Sequence, residues 1–131
     1  MMRAVLAVFL AFVAVGNQAL AFSPEDIQHY SPTVPTDKPV VFDSEDKPRV
    51  ALQKGDFTVV NYGQSDLCPA GGFYLVNTKR KTYQLIDAGS CAQHTVVTIE
   101  STNPTRRSAN TQVLTFWVGK DIAARYPLYD Y

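Results

Sequence analysis

Cys68-Pro69-Ala70-Gly71-Gly72, Phe73-Tyr74-Leu75-Val76-Asn77, Thr78-Lys79-Arg80-Lys81, Thr82-Tyr83-Gln84-Leu85-Ile86 and Asp87-Ala88-Gly89-Ser90-Cys91 follow one another in this chain. Folded at Lys79-Arg80, the stretch sets Cys68 opposite Cys91, Phe73 opposite Ile86 and Val76 opposite Tyr83. Facing residues of an antiparallel pair bring their Cα atoms within the roughly 4.4–6.8 Å that a disulfide spans. The two cysteines are therefore expected to staple the open end of a β-hairpin. Closing a loop of this length is worth about 3 kcal/mol in the chain-entropy model, a large share of a small domain's stability. A reactive thiol is the weaker reading, because a second cysteine stands at matching register.

Outward from the hairpin, short runs rich in β-branched and aromatic residues alternate with turn signals. The runs are Arg49–Gln53, Phe57–Tyr62, Phe73–Asn77, Thr82–Ile86, Thr95–Ser101 and Thr111–Gly119, and the breaks carry Gly55-Asp56, Gly63, Gly71-Gly72, Gly89 and Asn103-Pro104. This spacing predicts an all-β fold, a small antiparallel sandwich or partly open barrel of about six strands. In the last run both Leu114, Phe116, Val118 and the alternate set Val113, Thr115, Trp117 are largely apolar, which predicts a central strand. Only Lys120–Arg125 reads as helical. The aromatic residues are expected mainly in the core, a ligand platform being the rival role.

The N-terminal side differs. Residues 1–21 have the layout of a signal peptide: Arg3, an apolar run from Ala4 to Val15, and Ala19-Leu20-Ala21 as a cleavage site. The run is too short for a membrane span of about 20 residues. A periplasmic or secreted protein, with no transmembrane segment after cleavage, is expected. In that oxidising setting an even cysteine count favours a disulfide over a metal site. Residues 22–48 form an acidic, proline-rich arm: Glu25, Asp26, Asp37, Asp43, Glu45 and Asp46 face only Lys38 and Lys47, among Pro24, Pro32, Pro35, Pro39 and Pro48. Such a stretch is expected to be extended and poorly ordered, with Val40-Val41-Phe42 as its one patch able to dock on the body, as an edge strand. Residues 49–131 make up the antiparallel β domain.

Strand parity supplies a candidate site. If successive strands reverse direction, the turns at Lys54-Gly55, Lys79-Arg80-Lys81 and Arg106-Arg107 fall at one end, and the disulfide with Asp66, Asp87 and His94 at the other. Lys54, Lys79, Arg80, Lys81, Arg106 and Arg107 would then form a basic pole able to attract an envelope protein or an anionic glycan or lipid, or the chain's own acidic arm. Solvated loop tips are the plainer account. With 12 basic and 12 acidic residues the chain has zero net charge, and no nucleic-acid motif is present, so nucleic acid is not an expected partner.

Catalytic signals are sparse, and no enzyme activity, metal or cofactor is expected. Asp87, Ser90 and His94 share a loop, but no nucleophile-elbow motif accompanies them. Asp66, Asp87 and His94 lack metal-ligand spacing, and His29 lies in the arm. Asp66 and Asp87 are the only carboxylate pair a carbohydrate hydrolase could use. The tail tyrosines Tyr126, Tyr129 and Tyr131 suit covering a core edge.

The pattern Gly55-Asp56-x-x-Val59, Cys68-Pro69-Ala70, Tyr74-x-Val76 and Gly89-x-Cys91 resembles that of small uncharacterised exported β proteins of Gram-negative bacteria. The match covers residues 55–91. It departs from that group's pattern at Ala88, where an aromatic is usual, and at Ala92, where an acid is usual. The resemblance implies a periplasmic β domain without assigned chemistry. Size and class are also similar to periplasmic lysozyme inhibitors, whose Ser-Gly-x-x-Tyr signature is absent. An inhibitor or immunity-type protein acting on a hydrolase through its basic or disulfide-bordered loop is accordingly the alternative to a binding module.

Overall fold

The computed structural model describes residues 22–34, 38–101 and 111–128. Among them the chain forms a 3₁₀ helix (Pro24–His29) and eight strands: β1 (Ser31–Pro32), β2 (Arg49–Lys54), β3 (Phe57–Tyr62), β4 (Gly72–Asn77), β5 (Thr82–Ile86), β6 (Thr95–Ser101), β7 (Gln112–Val118) and β8 (Asp121–Pro127). They build a five-stranded sheet in the order β1-β5-β4-β3-β2 and a three-stranded sheet in the order β6-β7-β8, with no closed barrel. Pairing is antiparallel except between β1 and β5. The central hairpin has the expected register, with Phe73 opposite Ile86 and Val76 opposite Tyr83. Cys68 and Cys91 are bridged across its open end with Cα atoms 4.7 Å apart.

All six runs read from the sequence are strands, and β7 is the central strand of its sheet. Two strands were not foreseen. Residues 121–127 form β8 rather than the expected helical turns: Gly119, at φ 62°, starts a tight turn with Lys120 and returns the chain alongside β7. Helix propensity at Ala123, Ala124 and Arg125 is a few tenths of a kcal/mol per residue, too little to outweigh pairing with β7. The other addition, β1, is two residues long and ends on a proline.

The sheets enclose one apolar core. Val59, Phe73, Leu75 and Ile86 from the five-stranded sheet meet Val97, Ile99, Leu114 and Phe116 from the three-stranded one. Leu114 and Phe116 are fully buried, and the Phe116 ring meets Phe73 edge-on at 4.9 Å. Residues of β3, β4 and β5 in the opposite phase, including Val60, Val76 and Tyr83, point to the other face of the larger sheet.

The acidic arm covers that second face. It is packed there, contrary to the expectation of poor order: Ile27 is 0% exposed and Val40 is buried, with Phe22, Tyr30 and Phe42 packed beside them. The reason is patterning. Ile27, Val40, Phe22, Tyr30 and Phe42 turn inward onto Val60, Val76 and Tyr83, while Glu25, Asp43 and the side chain of Val41 stay exposed. Val40 and Phe42 thus dock on either side of an outward Val41, and not as a strand.

Candidate functional site

Two of the three turns that parity placed together are neighbours. The Thr78 amide donates to the Asp56 carbonyl at 2.9 Å, and the Thr78 hydroxyl donates to the same oxygen at 3.1 Å. This couples the β2–β3 turn to the β4–β5 turn. The second turn is shaped by the buried side chain of Asn77, whose Oδ1 accepts from the amides of Lys79 at 3.1 Å and Arg80 at 3.0 Å. Lys81 closes it at φ 57°, a left-handed conformation that strains a residue other than glycine. Lys79, Arg80 and Lys81 are all exposed.

Lys54 is placed differently. Its Nζ donates to the Ile99 carbonyl at 2.8 Å, so the cation ties β2 to β6 across the two sheets. Arg106 and Arg107 lie outside the described residues. One acid, Asp56, is exposed within the same pair of turns.

At the other end the disulfide loop is organised by its own backbone. Ala70 donates to the Cys91 carbonyl at 3.1 Å, and Gly71 to the Cys68 carbonyl at 2.9 Å. Asp87 Oδ1 accepts from the Gly89 amide at 2.8 Å. Ser90 Oγ accepts from the Ala92 amide at 3.0 Å and from the Thr95 hydroxyl at 3.3 Å. Of the side chains considered as a triad, Asp87 and Ser90 thus shape turns, and His94 is exposed. No group of three His, Cys, Asp or Glu residues able to hold a metal occurs among the described residues, so Asp66, Asp87 and His94 do not gather. His29 is exposed on the 3₁₀ helix. A cleft of about 720 Å³ lies beside this loop, floored by Phe73 and Ile86 and bordered by Asp87, Ser90 and Cys91.

Several structurally decisive polar residues escaped the sequence reading. Asn61 is buried; its Nδ2 donates to the carbonyls of Ala70 at 2.7 Å and Gly72 at 2.9 Å, and its Oδ1 accepts from Gln64. It anchors the Cys68 loop to β3. Tyr126, in β8, donates from its hydroxyl to the Asp87 carbonyl and joins that strand to the same loop. Tyr129 and Tyr131 lie outside the described residues. On the arm-covered face, Tyr62 stacks on Tyr74 at 4.9 Å. Burial raises the Tyr74 hydroxyl well above its ordinary value of 10.0, and the neighbouring Tyr62 and Tyr83 hydroxyls and the Asp46 carboxylate push it the same way. It is therefore protonated at neutral pH. A single buried asparagine or tyrosine carries no sequence pattern of its own.

No family model, curated protein or solved structure matches the chain.

Proposed function

We propose that the protein is an exported, non-catalytic β-sandwich that binds an anionic partner, either an envelope protein or an acidic glycan or lipid, through its basic pole. The observation that carries this reading is the double hydrogen bond from Thr78 to Asp56, which holds the β2–β3 and β4–β5 turns side by side. With that link in place Lys79, Arg80 and Lys81 project from a braced surface rather than from independent loops. Pre-ordering of this kind lowers the entropy lost on binding. The Cys68–Cys91 disulfide and the lack, among the described residues, of a helix able to cross a membrane are compatible with export.

Binding to immobilised heparin, a model polyanion, tests the proposal. Charge reversal at Lys79 and Arg80 together is expected to abolish retention, while reversal at Lys120 and Arg125 leaves most of it. Retention by the wild type should fall steeply from low to physiological salt, because exposed charges are screened over about 8 Å at 0.15 M. Equal losses in both double variants would assign the effect to overall charge and sink the localised pole. The alternative, inhibition of a hydrolase by the disulfide-bordered loop, is favoured by one feature: the residues from Asp87 to Cys91 are held by the disulfide and by local turns. Inhibition of a lysozyme that survives reversal at Lys79 and Arg80 would select it.

A further inference from the structure

Among the described residues, the β5 edge of the five-stranded sheet is filled only halfway. Along the outer side of β5, Ser31 donates to the Lys81 carbonyl at 3.0 Å and Thr33 donates to the Tyr83 carbonyl at 2.8 Å. Bonding groups on one side of a strand recur every second residue, so Leu85 presents the next amide and carbonyl outward, while Thr82, Gln84 and Ile86 face β4. The residue in phase with Ser31 and Thr33 that would donate to Leu85 is Pro35, which has no N–H. The register of β1 stops at Tyr83, and no other described strand lies on that side of β5.

Two clefts meet at Leu85, whose side chain is 56% exposed. The larger, about 720 Å³, is floored by Phe73 and Ile86 and bounded by the disulfide loop. The smaller, about 210 Å³, is lined by Tyr74, Tyr83 and Val40 and has Lys38 at its margin. A strand added to an edge sends alternate side chains to opposite faces of the sheet. Backbone hydrogen bonds then supply affinity, and the pockets on either side supply selectivity.

We propose that β5 at Leu85 is a β-addition site for an extended peptide segment of a partner protein, one that alternates an apolar side chain, seated in the larger cleft, with an acidic one facing Lys38. The occupant follows from three features: the chain's own residues 31–33 use this edge by the same bonds, the larger cleft is apolar at its floor, and the smaller carries a positive charge. The site is distinct from the basic pole, since it lies on β5 toward the disulfide end.

The test uses the oxidised, 15N-labelled protein and two blocked hexapeptides, one alternating Glu with Leu and one alternating Lys with Leu. The Glu-Leu peptide is expected to shift the Leu85 and Asp87 amides saturably and to slow hydrogen exchange at Leu85. Leu85→Pro removes the outward donor without touching the bonds to β4, and should weaken binding by about tenfold or more. N-methylation of alternate peptide residues should do the same with the wild-type protein, which keeps the test decisive should the proline variant fail to fold. The Lys-Leu peptide should bind several-fold more weakly. No shift up to about 1 mM peptide, equal binding of the N-methylated peptide, or shifts centred on residues 79–81 would each overturn the proposal. Leu85 protection that grows with protein concentration and needs no peptide would also overturn it, by making a second copy of the chain the occupant.

Discussion

The two faces of the five-stranded sheet are covered by different means. On one face, strand meets strand: Val59, Phe73, Leu75 and Ile86 pack against Val97, Ile99, Leu114 and Phe116. On the other, a short 3₁₀ helix and irregular chain from the acidic arm lie over Val60, Val76 and a group of tyrosines. The first core is built of hydrocarbon and phenyl rings. Under the arm, two buried hydroxyls, those of Thr58 and Tyr83, have no hydrogen-bond partner among the described residues. Both stand in one cross-strand row, flanking Val76. Regular strands satisfy their backbone groups by pairing, and the buried Asn61 on the first face has its side-chain amide hydrogen-bonded at both ends. An irregular cover must accept whatever polar atoms the sheet face already holds, which costs stability.

Three variants test that contrast. Phe116→Ala, in the inter-sheet core, should lower unfolding free energy by about 4 kcal/mol, as deletion of a buried phenyl ring does, and should lower the thermal midpoint of the whole chain. Ile27→Ala, on the inner side of the arm, should cost about 2 kcal/mol, toward the lower end for a buried Ile, because a short irregular segment collapses around a cavity more readily than two paired sheets. Hydrogen exchange should then accelerate at Ser31 and Thr33, whose amides tie the arm to β5, while amides of β7 remain slow. Uniform acceleration would mean that the two faces unfold as one unit. The smallest effect has the opposite sign. Tyr83→Phe combined with Thr58→Val should raise stability by about 1 kcal/mol or more, measured by denaturant midpoint, because each removes a buried hydroxyl without a partner. A fall would show that these hydroxyls are satisfied and that the second face is no poorer than the first.

This difference also governs what the sequence reveals. The register of β4 and β5 is legible because Cys68 and Cys91 bracket two runs of β formers about a basic turn, so local preference and long-range pairing agree. The adjacency of the turns at residues 54–56 and 78–81 follows from strand parity alone. By contrast, Lys120–Arg125 reads as helix because Ala123 and Ala124 are good helix formers, while the pairing that makes residues 121–127 a strand is supplied by β7. The arm reads as poorly ordered because its prolines and acids outnumber Ile27, Val40 and Phe42, yet burial is decided by those few side chains and not by the average. The tie from Lys54 to Ile99 spans two sheets, and no spacing in the sequence encodes it. For the Leu85 edge, nothing local signals that β1, among the described residues, pairs with β5 only as far as Tyr83.

The disulfide loop holds a consequence for the order in which the molecule can be completed. A Cβ on Gly89 would lie 2.4 Å from the Ala123 carbonyl oxygen, so the loop and β8 approach backbone to backbone at this point, and Tyr126 closes over the same loop at Asp87. Every residue of the stapled hairpin precedes β8 in the chain. The bridge therefore needs nothing from β8 in order to close, and the Gly89 loop can be fixed in shape before β8 seats between it and β7, its hydrogen-bonding partner. A chain cut short before Asp121 would keep its staple and lose its latch.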